Sequence, residues 1–130
     1  MRVFKSGMIR EQLSAKALAA LEYDFRSYKT TGTAPIGFGR DAPYDHPSTP
    51  RILLLEDVRH IHLKQEGGWP ERLVQYKRTS DDHLVYCTGS LQTDVFLLIG
   101  LLSPDAHDQI KDFSVALKLG EIAERFRQQF

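Results

Sequence analysis

His83-Leu84-Val85-Tyr86-Cys87-Thr88 and Val95-Phe96-Leu97-Leu98-Ile99-Gly100-Leu101-Leu102 are the two runs from which the fold is read. Both are short and rich in β-branched and aromatic residues, and Thr88-Gly89-Ser90 marks a turn between them. So short a connection makes the two strands antiparallel neighbours. The second run is apolar at every position, which predicts a central strand covered on both faces. Ser103-Pro104-Asp105 follows. A serine N-cap with proline at the first helical position predicts a helix starting there. The apolar phase slips near Phe113-Ser114, predicting a break, and Ile122, Ala123, Phe126 and Phe130 give the last segment a core-facing stripe.

Working back toward the N-terminus, Ile52–Lys64 and Leu73–Thr79 read as two more strands. Glu66-Gly67-Gly68-Trp69-Pro70 and Ser80-Asp81-Asp82 are the turns that punctuate them. Residues 33–50 hold four of the six prolines and two of the nine glycines, and read as a long, packed connecting loop. Before it, Leu18, Leu21, Phe25 and Tyr28 recur at helical spacing. Ser14 suits the N-cap, Leu13 and Leu18 a hydrophobic staple, and Gly32 the C-cap. Arg2–Lys5 reads as an opening strand. The expectation is one α+β domain over residues 1–130: an N-terminal strand and helix, an antiparallel sheet of about five strands, and a C-terminal helical segment.

With 42% apolar and 26% charged residues the chain is globular, and 130 residues suffice for one sizeable core. Seventeen basic and seventeen acidic residues cancel, which argues against tight capture of free nucleic acid. Cys87 is the single cysteine, so an intramolecular disulfide is excluded and a reducing compartment fits. No apolar run exceeds the eight residues of Val95–Leu102, and Met1–Lys5 lacks a signal-peptide core. A soluble, cytoplasmic protein without a membrane partner is expected.

Four of the five histidines, His60, His62, His83 and His107, sit on or beside these strands. In Arg59-His60-Ile61-His62-Leu63 the two imidazoles share one strand face. Histidine can give or take a proton near neutral pH, and arginine can hold a phosphate with its bidentate fork. Arg78, closing the Leu73–Thr79 strand, is expected to face His83 across the Ser80-Asp81-Asp82 turn, near enough for both to reach one phosphate. His83 reads equally as a polar residue flanking a turn. Tyr86 is out of phase with His83 and is expected in the core. Two histidines are too few for a zinc site; His107 or Asp81 could add a ligand, but nothing in the spacing demands it, and no metal or cofactor is assigned. Arg40 and Asp41 read either as a clamp on a ligand or as an ion pair fixing the loop. His46 is given no role.

Several blocks, in order from the first residue to the last turn, resemble the YafO toxin family within the RelE/ParE-like superfamily. They are Met1–Lys5, Phe38-Gly39-Arg40-Asp41 with Tyr44-Asp45, His60–Leu63, Arg78–Asp81, His83–Cys87, Leu97-Leu98-Ile99 with Pro104 and His107, and Gly120–Arg127. The resemblance implies a RelE-like fold and the toxin of a type II toxin–antitoxin pair. It also implies a ribosome-dependent endoribonuclease that cleaves mRNA, halts translation and is neutralised by a cognate YafN-type antitoxin. The alternative on such a fold is a non-nucleolytic, ParE-like inhibitor. On the nuclease reading the catalytic candidates are His60, His62, Arg78, His83 and His107, and the RNA-contacting candidates are Arg40, Lys77 and Arg78. Where RelE-like nucleases commonly carry arginine this chain carries His83, and an imidazolium can also meet a phosphate.

Overall fold

A computed structural model describes residues 1–64 and 67–130. Arg2–Lys5 forms strand β1. A short helix that the periodicity did not separate, α1 (Gly7–Gln12), follows on a Ser6 cap. Helix α2 spans Ala15–Thr31: the Ser14 side chain accepts the Ala17 N–H, and Gly32, at φ 77°, closes the C-terminus. Leu18 and Phe25 are its buried residues, with Leu21 and Tyr28 packed beside them, so the apolar stripe faces the core as its spacing requires.

The five-stranded sheet runs β1-β5-β4-β3-β2. Its other strands are β2 (Phe38–Pro43), β3 (Arg59–Leu63), β4 (His83–Thr88) and β5 (Val95–Leu102). Antiparallel pairing joins β2 to β3, β3 to β4 and β4 to β5, whereas β1 lies parallel to β5. The sheet is therefore mixed, and β4 holds the middle place expected for Val95–Leu102. β5 is still interior and almost wholly buried, because α2 covers one face of the sheet and α5 (Phe113–Gln129) the other.

Two expected strands change identity. Within Ile52–Lys64 only Arg59–Leu63 is extended; Ile52–Leu55 is a helical turn, α3, with Leu53 buried, and Asp57 at φ 50° separates the two. A short apolar run does not distinguish strand from buried helix. Leu73–Thr79 is not a strand: Gln75–Lys77 forms a 3-10 turn. The fifth strand comes instead from the expected loop, as β2, an edge strand whose register shifts between Phe38 and Asp41. Edge position accommodates its terminal proline. Residues 75–78 lie flat against β2, with the Arg40 N–H donating to the Arg78 carbonyl at 2.8 Å. A Cβ at Gly39 would sit 2.2 Å from that carbonyl oxygen, so only glycine permits the approach.

Past β5, the expected helix start at Ser103-Pro104 moves to α4 (Ala106–Gln109), with Asp105 at φ 59° in the cap position. The expected break falls just before Phe113, where Asp112 caps α5. The turn at 66–70 includes Glu66, which lies outside the described residues. Among them, no helix is long and apolar enough to cross a membrane.

Candidate active site: a histidine cluster on one sheet face

The register of β3 against β4 sets His62 opposite His83 and His60 opposite Val85. Because residues two apart share a face, all three imidazoles emerge on the same side, at the end of the core that α5 covers. Ring centroids are 4.4 Å apart for His60–His83 and His62–His83 and 5.0 Å for His60–His62. All three are buried, His83 at 4% exposure and the others at 8%. One ligating nitrogen from each lies within 4.8 Å of the other two, the geometry of a possible metal centre.

Each ring is held differently. Nδ1 of His62 sits 2.8 Å from the Ser80 carbonyl and 2.9 Å from the Ser80 N–H. Nδ1 of His83 lies 2.9 Å from the Tyr44 hydroxyl. The Tyr44 ring stacks on His60 at 4.0 Å and 12°. Nδ1 of His60 is buried without a partner among the described residues. Burial, reinforced by the neighbouring imidazoles, holds His60 down to a pKa of about 2 and His83 to about 4. His62 is also lowered, chiefly by burial. Burial likewise raises the Tyr44 hydroxyl well above the usual phenol range, so it stays protonated. At neutral pH the cluster is three neutral imidazoles under a neutral phenol.

The cluster forms the floor of a cavity of about 430 Å³, whose walls include Arg40, His46, Tyr76, His107 and Lys111. Arg40, on the histidine side of β2, lays its guanidinium 4.1 Å from the Tyr76 ring centroid and donates Nε–H to the Tyr76 carbonyl. His107 is the exposed imidazole of α4. Its backbone N–H donates to Asp81 Oδ1 at 2.8 Å, and the Ala106 N–H to the Asp81 carbonyl at 3.0 Å, so the turn preceding β4 fixes the helix at the cavity mouth.

The structure thus brings together His60, His62, His83, His107 and Arg40. It does not bring Arg78 to them. The strand that was to carry Arg78 is absent, and His83 faces His62 instead. The Arg78 guanidinium donates to the carbonyls of Leu73 (2.7 Å) and Glu71 (3.4 Å) and does not line the cavity. Lys77 is exposed on the 3-10 turn and also lies off the cavity wall. Arg40 and Asp41 do not pair with each other: alternation sends Asp41 to the opposite face, into ion pairs with Lys29 and Arg59. Tyr86 is fully buried in the core, out of phase with His83 as its spacing requires. Sequence reasoning missed Tyr44, Tyr76, Lys111 and the wall position of His46. The Gly-Pro-rich composition of residues 33–50 concealed a strand, and with it the alternation that aims Arg40 and Tyr44 at the histidines.

No solved structure matches this chain. The family model described as Toxin YafO, type II toxin–antitoxin system, matches residues 26–128. The mRNA interferase toxin YafO of Escherichia coli (strain K12) is 46% identical over 132 residues, covering all of both chains. The match spans every wall of the histidine cavity and both faces of the sheet, so the chain belongs to the YafO family of type II toxin–antitoxin toxins.

Proposed function

We propose that this toxin is an mRNA interferase: a ribosome-dependent endoribonuclease on a single RelE-like domain, working in the cytoplasm and held silent by a cognate YafN-type antitoxin. The observation that carries the reading is the convergence of five imidazoles and an arginine on one cavity, in a full-length relative of an mRNA interferase toxin. RNA supplies its own nucleophile, the 2′-hydroxyl. Cleavage without a metal then needs a base, an acid and positive charge beside the phosphorane.

The environments sort the roles. A buried imidazole present as the free base, His83 or His62, accepts the 2′-hydroxyl proton as the O2′–P bond forms, the negative charge gathering on the phosphorane offsetting the burial that disfavours its imidazolium. His60, held neutral most strongly, packs the other two. An imidazole kept neutral cannot deliver a proton, so the leaving 5′-oxygen is protonated from outside the cluster by His107 at the mouth. The P–O5′ bond breaks, leaving a 2′,3′-cyclic phosphate. Arg40, oriented by Tyr76, faces the phosphorane in the place first given to Arg78; Arg78 supports Arg40 through the backbone bond between them, and Lys77 is left to contact RNA outside the cavity. Zero net charge fits an enzyme to which the ribosome presents the RNA.

The test is cleavage of mRNA by purified protein with and without ribosomes, with 5′ ends mapped by primer extension. Cuts only with ribosomes, lost in His83→Ala and His107→Ala, are expected. Toxicity that survives in both folded variants would overturn the reading in favour of a non-nucleolytic inhibitor.

A further inference from the structure

We propose that His60, His62 and His83 form a three-nitrogen site for a divalent cation of the zinc class, and that a bound ion silences the toxin by occupying the imidazole lone pairs. The silencing half rests on the nuclease reading above; the binding half does not. The sequence offers only the His60–His62 pair, and the sheet register supplies the third ligand. The three nitrogens already lie within 4.8 Å of one another. A tetrahedral ion with Zn–N bonds of about 2.0–2.1 Å draws its ligands to roughly 3.3 Å apart, a change within reach of side-chain rotation.

Two further features fit a metal. The buried Nδ1 of His60 has no partner among the described residues, although its ring is 8% exposed, and an unpaired buried polar atom is costly unless something binds there. The other two rings carry outer supports common to metal-bound histidines: His62 on the Ser80 carbonyl and His83 on the Tyr44 hydroxyl. In the tautomers that donate Nδ1–H to those oxygens, which for His62 replaces the alternative of accepting the Ser80 N–H, both Nε2 atoms keep a free lone pair. The open cavity leaves a fourth position for water. Arg40 and Lys111 on the wall oppose a cation, while Asp45 on the wall and Asp81 beside the cluster favour it. An all-imidazole set selects zinc over the harder Mg²⁺, so the magnesium that ribosomes require would not fill it.

The experiment titrates metal-free full-length protein with Zn²⁺ by calorimetry, and with Co²⁺ by absorption. One ion per chain, four-coordinate cobalt d–d bands and a raised melting temperature are expected. All three effects should vanish in His60→Gln, His62→Gln and His83→Gln, each checked for folding by circular dichroism, and persist in His107→Gln. Protein loaded with Zn²⁺ and freed of excess before mixing with ribosomes should cleave at least ~10-fold more slowly than metal-free protein. Binding that is substoichiometric, or that survives the three substitutions, overturns the site. Stoichiometric binding with cleavage unchanged or faster overturns the silencing and leaves the nuclease reading standing. Binding by a protein that cleaves nothing even when metal-free overturns both silencing and nuclease, and leaves the site.

Discussion

The two faces of the sheet treat buried polar groups in opposite ways. On the α2 face, Asp41 is surrounded. Both its oxygens accept from the Tyr86 hydroxyl (2.8 and 2.9 Å), Tyr28 donates at 2.9 Å, and Lys29 and Arg59 pair with it at 3.4 Å each. Lys29 also reaches the Tyr86 oxygen at 2.9 Å, and Gln75 closes the ring by donating to Tyr28 at 3.2 Å. On the other face, three imidazoles crowd together with one nitrogen unpartnered and a cavity above them. A polar group kept for structure is satisfied on every side, because any shortfall in a low-dielectric interior is expensive. A polar group kept for chemistry must leave something unmade for a ligand to complete. On the reading proposed above, that difference sets the open histidine face apart from the closed Asp41 face.

The largest effect should come from removing the open face's chemistry. On the nuclease reading, His83→Ala is expected to lower the ribosome-dependent cleavage rate by about 10²–10⁴-fold, the span typical of a lost general base or acid. Primer-extension time courses would measure it. Arg40→Ala should fall toward the same range and Arg78→Ala well short of it. Equal losses for the two arginines would undo the assignment of the cavity wall.

Asp41→Ala attacks the closed face. It strands Lys29, Arg59 and the Tyr86 hydroxyl, and breaking a buried pair typically costs about 3–5 kcal/mol. Lys29 and Arg59 keep 22% and 31% exposure, so solvent screens them and the lower end, ~3 kcal/mol, is expected. Urea unfolding with an unchanged slope would measure it. A loss under ~1 kcal/mol would mean that the network is not the closed structure its geometry describes.

That contrast was only partly legible in the sequence. Helix α2, β4 and β5 follow from local periodicity and caps, and the shared face of His60 and His62 and the opposite phase of Tyr86 follow from alternation. The third imidazole did not: 20 residues separate His62 from His83, and the intervening segment looked like a strand that would pair Arg78 with His83. The Asp41 network was hidden for a similar reason. Its partners come from α2, β3 and β4, and β2 itself reads as a loop because Gly39, Asp41, Ala42 and Pro43 are poor strand formers in isolation. Pairing with β3 and the close approach at Gly39 make it a strand, and neither is a local property.

Acid should act on the open face. The folded protein holds His60, His62 and His83 below the ordinary value of 6.5, whereas the unfolded chain takes up protons near it. Their contribution is therefore complete above about pH 6.5 and drains away as pH falls from there toward about 4 and below. Each proton taken up by the unfolded chain alone steepens the loss by about 1.4 kcal/mol per pH unit. Metal-free protein is expected to show a slope near pH 5 corresponding to about two such protons, read from urea midpoints across pH. A flat profile between pH 7 and 5 would mean that the imidazoles are not buried as a neutral cluster.

The smallest effect is the most discriminating. His60→Phe keeps a flat ring against Tyr44 and removes the unpartnered nitrogen. An unsatisfied buried polar atom costs about 1–3 kcal/mol, so this substitution of a buried residue should leave stability unchanged or raise it by ~1 kcal/mol. It should also take one proton out of the acid slope, because His60 is the group held neutral most strongly. The same exchange on the closed face, Asp41→Leu, has no such compensation and must cost several times more. If His60→Phe proved as destabilising as Asp41→Ala, the Nδ1 atom would have a partner in solution and the histidine face would be a closed network like the other. A neutral or stabilising result, with cleavage and zinc binding reduced, would show that the chain keeps an unfavourable nitrogen for what the nitrogen binds.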